Sequence, residues 1–255
     1  MKQVPVRSQG DMDPETGAIR RSGLRTMANR YDLSALEAAL RWKEAEPDSR
    51  IDVFTMGPVK AEEVLRLAFA MGADHGYLIT DHAFGGADVL ATSYTLSQAI
   101  RAVGNYDLIL CGRQTTDGDT AQVSGALAQW LDIPHLNWVE RFERREPTML
   151  TAEVHTECER MEITIPMPCL LSVEAAQYQP RMPSLRLKIA AKKKPVCVLG
   201  RHQLADSDEE HYGFKGSATK VKKIYPPKPV EHQPVFEGSA EQAAQCILNH
   251  WRECR

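Results

Sequence analysis

Asp107-Leu108-Ile109-Leu110-Cys111-Gly112-Arg113-Gln114-Thr115-Thr116-Asp117-Gly118-Asp119-Thr120-Ala121-Gln122-Val123 is the stretch that decides the fold. Its first five residues are a short apolar run without alternation, the pattern of a strand covered on both faces. From Thr120 to Leu131 the pattern is helical, and Pro134 ends it. Between strand and helix, Gly112 lets the chain turn close to a ligand. Asp119 and Thr120 are placed to cap the helix, whose first amides suit a phosphate. The same residues also read as a capped β-α loop with no ligand, and chemistry alone leaves the two readings level. Neither GxGxxG nor GxxxxGK[ST] occurs, so the ordinary dinucleotide and P-loop fingerprints are absent.

Outward from this stretch the chain alternates strands and helices. Leu33, Leu36 and Leu40 recur at helical spacing, with Asp32 as the expected N-cap. Ile51 to Met56 is a short apolar strand stopped by Gly57-Pro58. Lys60 to Met71 is helical, with Val64, Leu65, Ala68 and Phe69 on one side and Gly72 at the C-terminal glycine position. Tyr77 to Thr80 reads as a strand and Ala91 to Val103 as a helix. Strand-helix alternation implies right-handed crossovers and a parallel sheet. The expected fold is therefore α/β, a doubly wound, mostly parallel, Rossmann-like sheet that binds ligands beyond the carboxyl ends of its strands.

After Asn137 the pattern changes. Glu153 to Ile165 alternates and carries charge, which predicts a small antiparallel hairpin over residues 150–165. Cys169-Leu170-Leu171-Ser172-Val173 reads as another buried strand. From Gln179 proline and basic residues accumulate, with four prolines between Pro226 and Pro234. The expected organisation is an α/β nucleotide-binding domain over 1–178, and a recognition loop and extended arm over 179–255. Glu241 to Trp251 predicts a last short helix with Ala244, Ile247 and Trp251 on one face.

Composition excludes several classes. The 255 residues carry 31 basic against 34 acidic side chains, a net charge of -3, so no electrostatic case exists for nucleic acid as the main ligand. No run approaches the roughly 18 apolar residues of a membrane span. The polar start, Met1 to Gly10, has no signal-peptide core. The six cysteines form no CxxC pair and no disulfide framework, which favours a reducing cytoplasm. Cys246, His250 and Cys254 recur at helical spacing, but no fourth ligand completes a closed zinc site, and no metal is expected. His82 reads as a surface residue near a strand end. Glu157, Glu159 and Glu162 read as a solvated edge. No Ser-His-Asp arrangement follows from spacing.

Several spaced motifs, in order, resemble the electron transfer flavoprotein beta subunit. Gln114 to Val123 resembles the family's nucleotide loop. Ala28-Asn29 through Ala35-Leu36-Glu37 resembles its first helix region. Gly57-Pro58 with Ala70-Met71-Gly72-Ala73-Asp74 resembles its second strand and following helix, and Ala87-Asp88 through Ala91-Thr92-Ser93 its third unit. Glu153 to Val173 resembles its signature segment. Pro180-Arg181-Met182-Pro183-Ser184-Leu185, followed by Lys192-Lys193-Lys194, resembles its partner-recognition loop. Gly216-Ser217-Ala218-Thr219-Lys220-Val221 resembles its Gly-Ser-Pro-Thr motif, with alanine where proline is usual. Family members usually begin with an apolar strand that runs into Lys-Gln-Val-Pro. This sequence starts at Met1-Lys2-Gln3-Val4-Pro5, for which a misassigned start codon is the simplest explanation. Otherwise a central strand is lost, leaving unpaired backbone groups and apolar faces in the sheet.

The resemblance implies one subunit of a heterodimeric electron carrier rather than a stand-alone enzyme, with no catalytic residue of its own assigned. It implies an alpha subunit supplying most of a catalytic FAD site, and an adenine nucleotide held here. That nucleotide is AMP in many members and a second FAD, meeting NADH, in flavin-bifurcating ones. Asp117-Gly118-Asp119-Thr120-Ala121-Gln122-Val123 resembles the bifurcating type, and small Gly118 and Ala121 leave room for a bulkier pyrophosphate. The implied site is Met56 with Asp119, Thr120, Ala121, Gln122 and Val123. Leu185 is the implied anchor for an acyl-CoA dehydrogenase-like partner, flanked by Arg181, Arg186 and Lys188. Two alternatives stand beside this reading: a nucleotide-binding or nucleotide-cleaving enzyme of the same fold, and an inactive structural partner subunit.

Overall fold

A computed structural model of the chain describes residues 1–6, 25–156, 159–220 and 235–253, leaving aside the side chain of Arg145. Glu157, Cys158, Val221, the prolines from 226 to 234 and Cys254 lie outside the described residues. β1 (Gln3–Pro5) and β2 (Thr26–Ala28) form a short antiparallel ribbon. Asn29 then leads into α1 (Arg30–Ala45), so the helix starts earlier than the expected cap at Asp32. Asp32 sits in the first turn, where an acidic group suits the positive end of the helix. Its carboxylate accepts the Lys2 amide at 2.6 Å and is thus occupied by the N-terminal segment. Leu36 and Leu40 enter the core as their spacing predicts.

β3 (Asp52–Met56) is followed by a 3-10 turn and α2 (Glu62–Met71), whose Val64, Leu65, Ala68 and Phe69 are buried. Gly72 ends α2, its amide donating to Ala68 O at 3.0 Å. β4 (His75–Ile79) leads to α3 (Val89–Val103), which begins two residues before expectation because Asp88 caps it, accepting the Ala91 amide at 3.1 Å. β5 (Leu108–Gly112) is followed by the quoted loop and α4 (Val123–Leu131).

Then come β6 (His135–Glu146), β7 (Met149–His155), β8 (Arg160–Pro166) and β9 (Cys169–Val173). β7 and β8 are the expected hairpin, while the long β6 that pairs with β7 was not anticipated. All five residues of β9 are buried, consistent with a strand flanked by two neighbours and covered on both faces.

Residues 179–222 do not leave the compact unit, which runs Met1–Lys222. α5 (Leu185–Ala191) packs on α2, and β10 (Cys197–Leu199) joins the sheet beside β4. Leu199, Leu204 and Tyr212 are buried, and a one-turn helix, α6 (Gly213–Gly216), follows. The expected boundary at 178 therefore does not coincide with the edge of that unit. Lys223–Arg255 forms a second unit, in which α7 (Ala240–Glu253) buries no residue and exposes Ile247 and Trp251.

The class is α/β with mostly parallel strands and a small antiparallel part. The strands hydrogen-bond as two sheets beside the β1–β2 ribbon: parallel β10-β4-β3, and β5-β9-β6-β7-β8, parallel through β6. Among the described residues, β3 and β5 are thus edge strands. Side chains tie them: Tyr106 OH donates to Asp52 Oδ2 at 2.8 Å, and Phe54 of β3 packs against the same cluster of Ile100, Leu127, Ala128 and Leu170 as Ile109 and Cys111 of β5. The Met1 ammonium donates to Phe54 O at 2.6 Å. With a strand neighbour on one side only, the apolar residues of β5 are half-buried rather than buried.

Candidate functional site

The loop after β5 is built against the start of α1. A Cβ on Gly112 would lie 2.5 Å from Asp32 Oδ1 and from the Tyr31 carbonyl carbon, so only glycine lets the two segments approach this closely. Asn29 Nδ2 donates to Gln114 O at 2.8 Å and fixes the loop from the other side. Asn29 is wholly buried, yet among the described residues its Oδ1 has no hydrogen-bond partner. A buried acceptor left this way costs about 1–3 kcal/mol unless something supplies a donor. Lys2 Nζ binds Asp117 Oδ1 at 2.8 Å. Burial of Asp117 works against its charged form, but the Lys2 hydrogen bond and charge prevail and hold its pKa below the ordinary carboxylate value.

The expected cap is not where the helix begins. Asp119 accepts from Gln114 Nε2 at 2.5 Å, and Gln122 occupies the N-cap position of α4 without a side-chain bond. Asp119 and Ala121 both adopt positive φ, 53° and 54°, which non-glycine residues visit at a cost of about 1–3 kcal/mol. A left-handed Ala121 followed by right-handed Gln122 is the alternation that turns successive amides toward one side, an anion-binding nest. Thr120 and Gln122 are exposed, Ala121 and Val123 half-buried. An adenine nucleotide fits this donor set: α4 offers amides without a side-chain cap to phosphate, Thr120 adds a hydroxyl, and Asn29 Oδ1 lacks the donor that an amino group supplies.

Met56 ends β3 and packs toward β4, against a cluster of Ile79, Phe84, Leu199, Leu204 and Tyr212. Asp119 to Val123 stand together after β5, and Met56 stands at the carboxyl end of the adjoining parallel strand set. Asn29, Lys2 and Asp32 meet the loop although the sequence reading did not place them there. The only local signal was an asparagine before a helix, which also reads as an ordinary cap. His82 is exposed, as expected.

The segment expected to recognise a partner has no helix or strand over residues 180–184 and turns helical at Leu185, where α5 begins. Ser184 Oγ accepts the Leu187 amide at 3.1 Å, and Leu185 opens α5 with 74% of its surface exposed. Leu185 is therefore not part of this subunit's core. Arg181 is not free to face a partner: it binds Glu37 and Glu44, at 2.8 and 2.6 Å. Lys194 is equally committed, donating to Ala73 O at 2.7 Å and lying over the Phe69 ring. Arg186, Lys188, Lys192 and Lys193 remain exposed around Leu185 and Ile189.

The sequence profile of the Electron transfer flavoprotein domain matches residues 16–202. The chain is 39% identical over 249 residues to an electron transfer flavoprotein subunit beta of Thermoanaerobacterium thermosaccharolyticum, covering 97% of this chain and 94% of that one. It is 39% identical over 228 residues to the caffeyl-CoA reductase-Etf complex subunit CarD of Acetobacterium woodii, covering 89% and 86%. It is 36% identical over 255 residues to the protein FixA of Sinorhizobium fredii, covering 98% and 89%.

Proposed function

The chain belongs to the electron transfer flavoprotein beta-subunit family, with a role in electron transfer, and on that premise we propose that it pairs with an alpha subunit and holds an adenine nucleotide at the loop between β5 and α4. The observation that carries the reading is the α4 N-terminus without a side-chain cap behind left-handed Ala121, on a loop whose Gln114 is held by Asn29, an asparagine whose Oδ1 has no partner among the described residues. Backbone amides of Ala121, Gln122 and Val123 hold phosphate, Thr120 adds its hydroxyl, and Asp119 braces the loop through Gln114. Lys2 keeps Asp117 paired, so its charge opposes a phosphate less. Met56 lines the carboxyl end of β3.

The occupant proposed is FAD, with AMP as the other outcome of the test. Support comes from the small Gly118 and Ala121, and from the likeness to a subunit of a reductase-Etf complex. A bound flavin supplies one- and two-electron chemistry; the protein supplies position, electrostatics and exclusion of water. Exposed Leu185 on a capped helix, with Arg186 and Lys188 beside it, supports docking of an acyl-CoA dehydrogenase-like partner. A cytoplasmic location and NADH as a reductant belong to the same proposal.

The test is coexpression with the alpha subunit and quantitation of flavin and AMP per heterodimer. Two FAD per complex is expected, and one FAD with one AMP assigns the site to AMP. Replacing Thr120 and Gln122 together by leucine should lower the adenine nucleotide in this subunit. Unchanged stoichiometry sinks the site, and a heterodimer without nucleotide here favours an inactive structural subunit.

A further inference from the structure

The Gly216-Ser217-Ala218-Thr219 motif has no place in the site above, yet it is tightly built in. Asp88, the cap of α3, accepts the Thr219 amide at 2.8 Å and the Thr219 hydroxyl at 2.9 Å, while its own amide donates to Ser217 Oγ at 2.9 Å. Ser217 Oγ in turn donates to Gly213 O at 2.7 Å. Gly213 has φ 55°, and a Cβ there would lie 2.0 Å from Ala83 O and 2.7 Å from Gly85 O. The Phe214 amide donates to Gly85 O at 2.8 Å, and its side chain covers Gly86, where a Cβ would meet Phe214 Cβ at 3.2 Å.

A second hub holds the same segment to α3. Asp206 Oδ2 accepts from Tyr94 OH at 2.5 Å and meets His211 Nδ1 at 2.6 Å, and Asp206 Oδ1 accepts the Asp208 amide at 2.8 Å. The Tyr94 hydrogen bond, with those from Asp208 and His211, outweighs burial and draws the Asp206 pKa down to about 2. Tyr212 is wholly buried, donates to Asp206 O at 2.6 Å and packs on Phe84. Phe84 and Tyr212 belong to the cluster against which Met56 packs. The segment thus grips the loop after β4 at its middle and end, and backs a residue of the proposed nucleotide site.

We propose that residues 206–219 are a clasp that positions the 81–88 loop and Met56, and thereby governs how long the nucleotide is retained. The proposal rests on the nucleotide reading above. Tyr212, Gly213 and Thr219 act as positioning residues, touching the loop and not the ligand.

The experiment uses the heterodimer with Tyr94→Phe, which cuts the tie to Asp206 and keeps the ring, and with Thr219→Val, which cuts the hydroxyl tie to Asp88. Gly213→Ala is the harsher variant. Hydrogen exchange at the Phe84, Gly85 and Phe214 amides reads the clasp, and release of the endogenous adenine nucleotide into excess free AMP reads retention. Losing one charged-partner hydrogen bond should speed both by about tenfold in Tyr94→Phe and lower Tm by about 3–6 °C. Unchanged exchange overturns the clasp. Faster exchange with unchanged release overturns its hold on the nucleotide, as does a fall in Tm with neither rate altered. If the wild-type complex carries no adenine nucleotide, the site reading fails, and the exchange measurement alone then decides whether the clasp exists.

Discussion

Gly112→Ala tests the junction on which the site depends. The added methyl would lie 2.5 Å from the Tyr31 carbonyl carbon and 2.6 Å from the Asp32 amide nitrogen. These are backbone atoms of the first turn of α1, so no side chain can rotate away to make room. Either α1 shifts off the β5 end or the loop moves out, and both disturb the Asn29-to-Gln114 bond. Overpacking of this kind costs about 1–3 kcal/mol when side chains can yield, and the upper end applies where backbone must move. At about 3 kcal/mol, a chain of this size should lose roughly 6–12 °C in Tm. The matched control is Gly118→Ala in the same loop, where the nearest atom is Thr115 Oγ1 at 3.4 Å, an ordinary contact. It should leave Tm within about 2 °C, the usual surface range of ±0.5 kcal/mol. Thermal unfolding by circular dichroism, with bound nucleotide measured in parallel, reads both. A Gly112→Ala variant as stable as Gly118→Ala would refute the close approach and the geometry of the site with it.

Leu185→Ala should weaken docking of a dehydrogenase partner by about 1–3 kcal/mol while leaving Tm unchanged, since the side chain is exposed; loss of heterodimer stability with docking intact would contradict this. Truncation after Lys222 should leave a folded, cooperative unit, because α7 buries nothing, and should lower recovery of the heterodimer; a truncated chain that unfolds would refute it. Burial raises the Glu37 pKa, but hydrogen bonds from Arg181 and Arg41 outweigh it and leave the folded value below the ordinary 4.5. Its contribution is therefore full above that value and lost as pH falls through the folded value, so the Tm of the wild type should drop more steeply below pH about 4.5 than that of Glu37→Gln. Parallel slopes would show that the pair is not coupled to folding.

Features set by neighbours in sequence were legible from the sequence. Gly72 stops α2 because no side chain has to be fitted into its positive φ of 131°. The apolar run Cys169–Val173 reads as a buried strand, and all five of its residues are buried in one. The stretch after β5 was legible as a loop before a helix, and the family by resemblance. What the sequence could not supply was where distant segments meet. Asp119 reads as a cap by spacing, but Gln114 takes its carboxylate, and the helix begins at Val123 with its amides free of a side-chain cap. Lys194 reads with Lys192 and Lys193 as part of a partner-recognition loop, yet the turn after α2 offers it the carbonyls of Ala73 and Asp74. Cys197-Val198-Leu199 is too short to be recognised as a strand; the edge of β4 makes it one by accepting its backbone bonds. In each case the local residues allow several outcomes of similar energy. The partner that decides between them lies tens of residues away in the chain, and only the folded backbone brings it within hydrogen-bond reach.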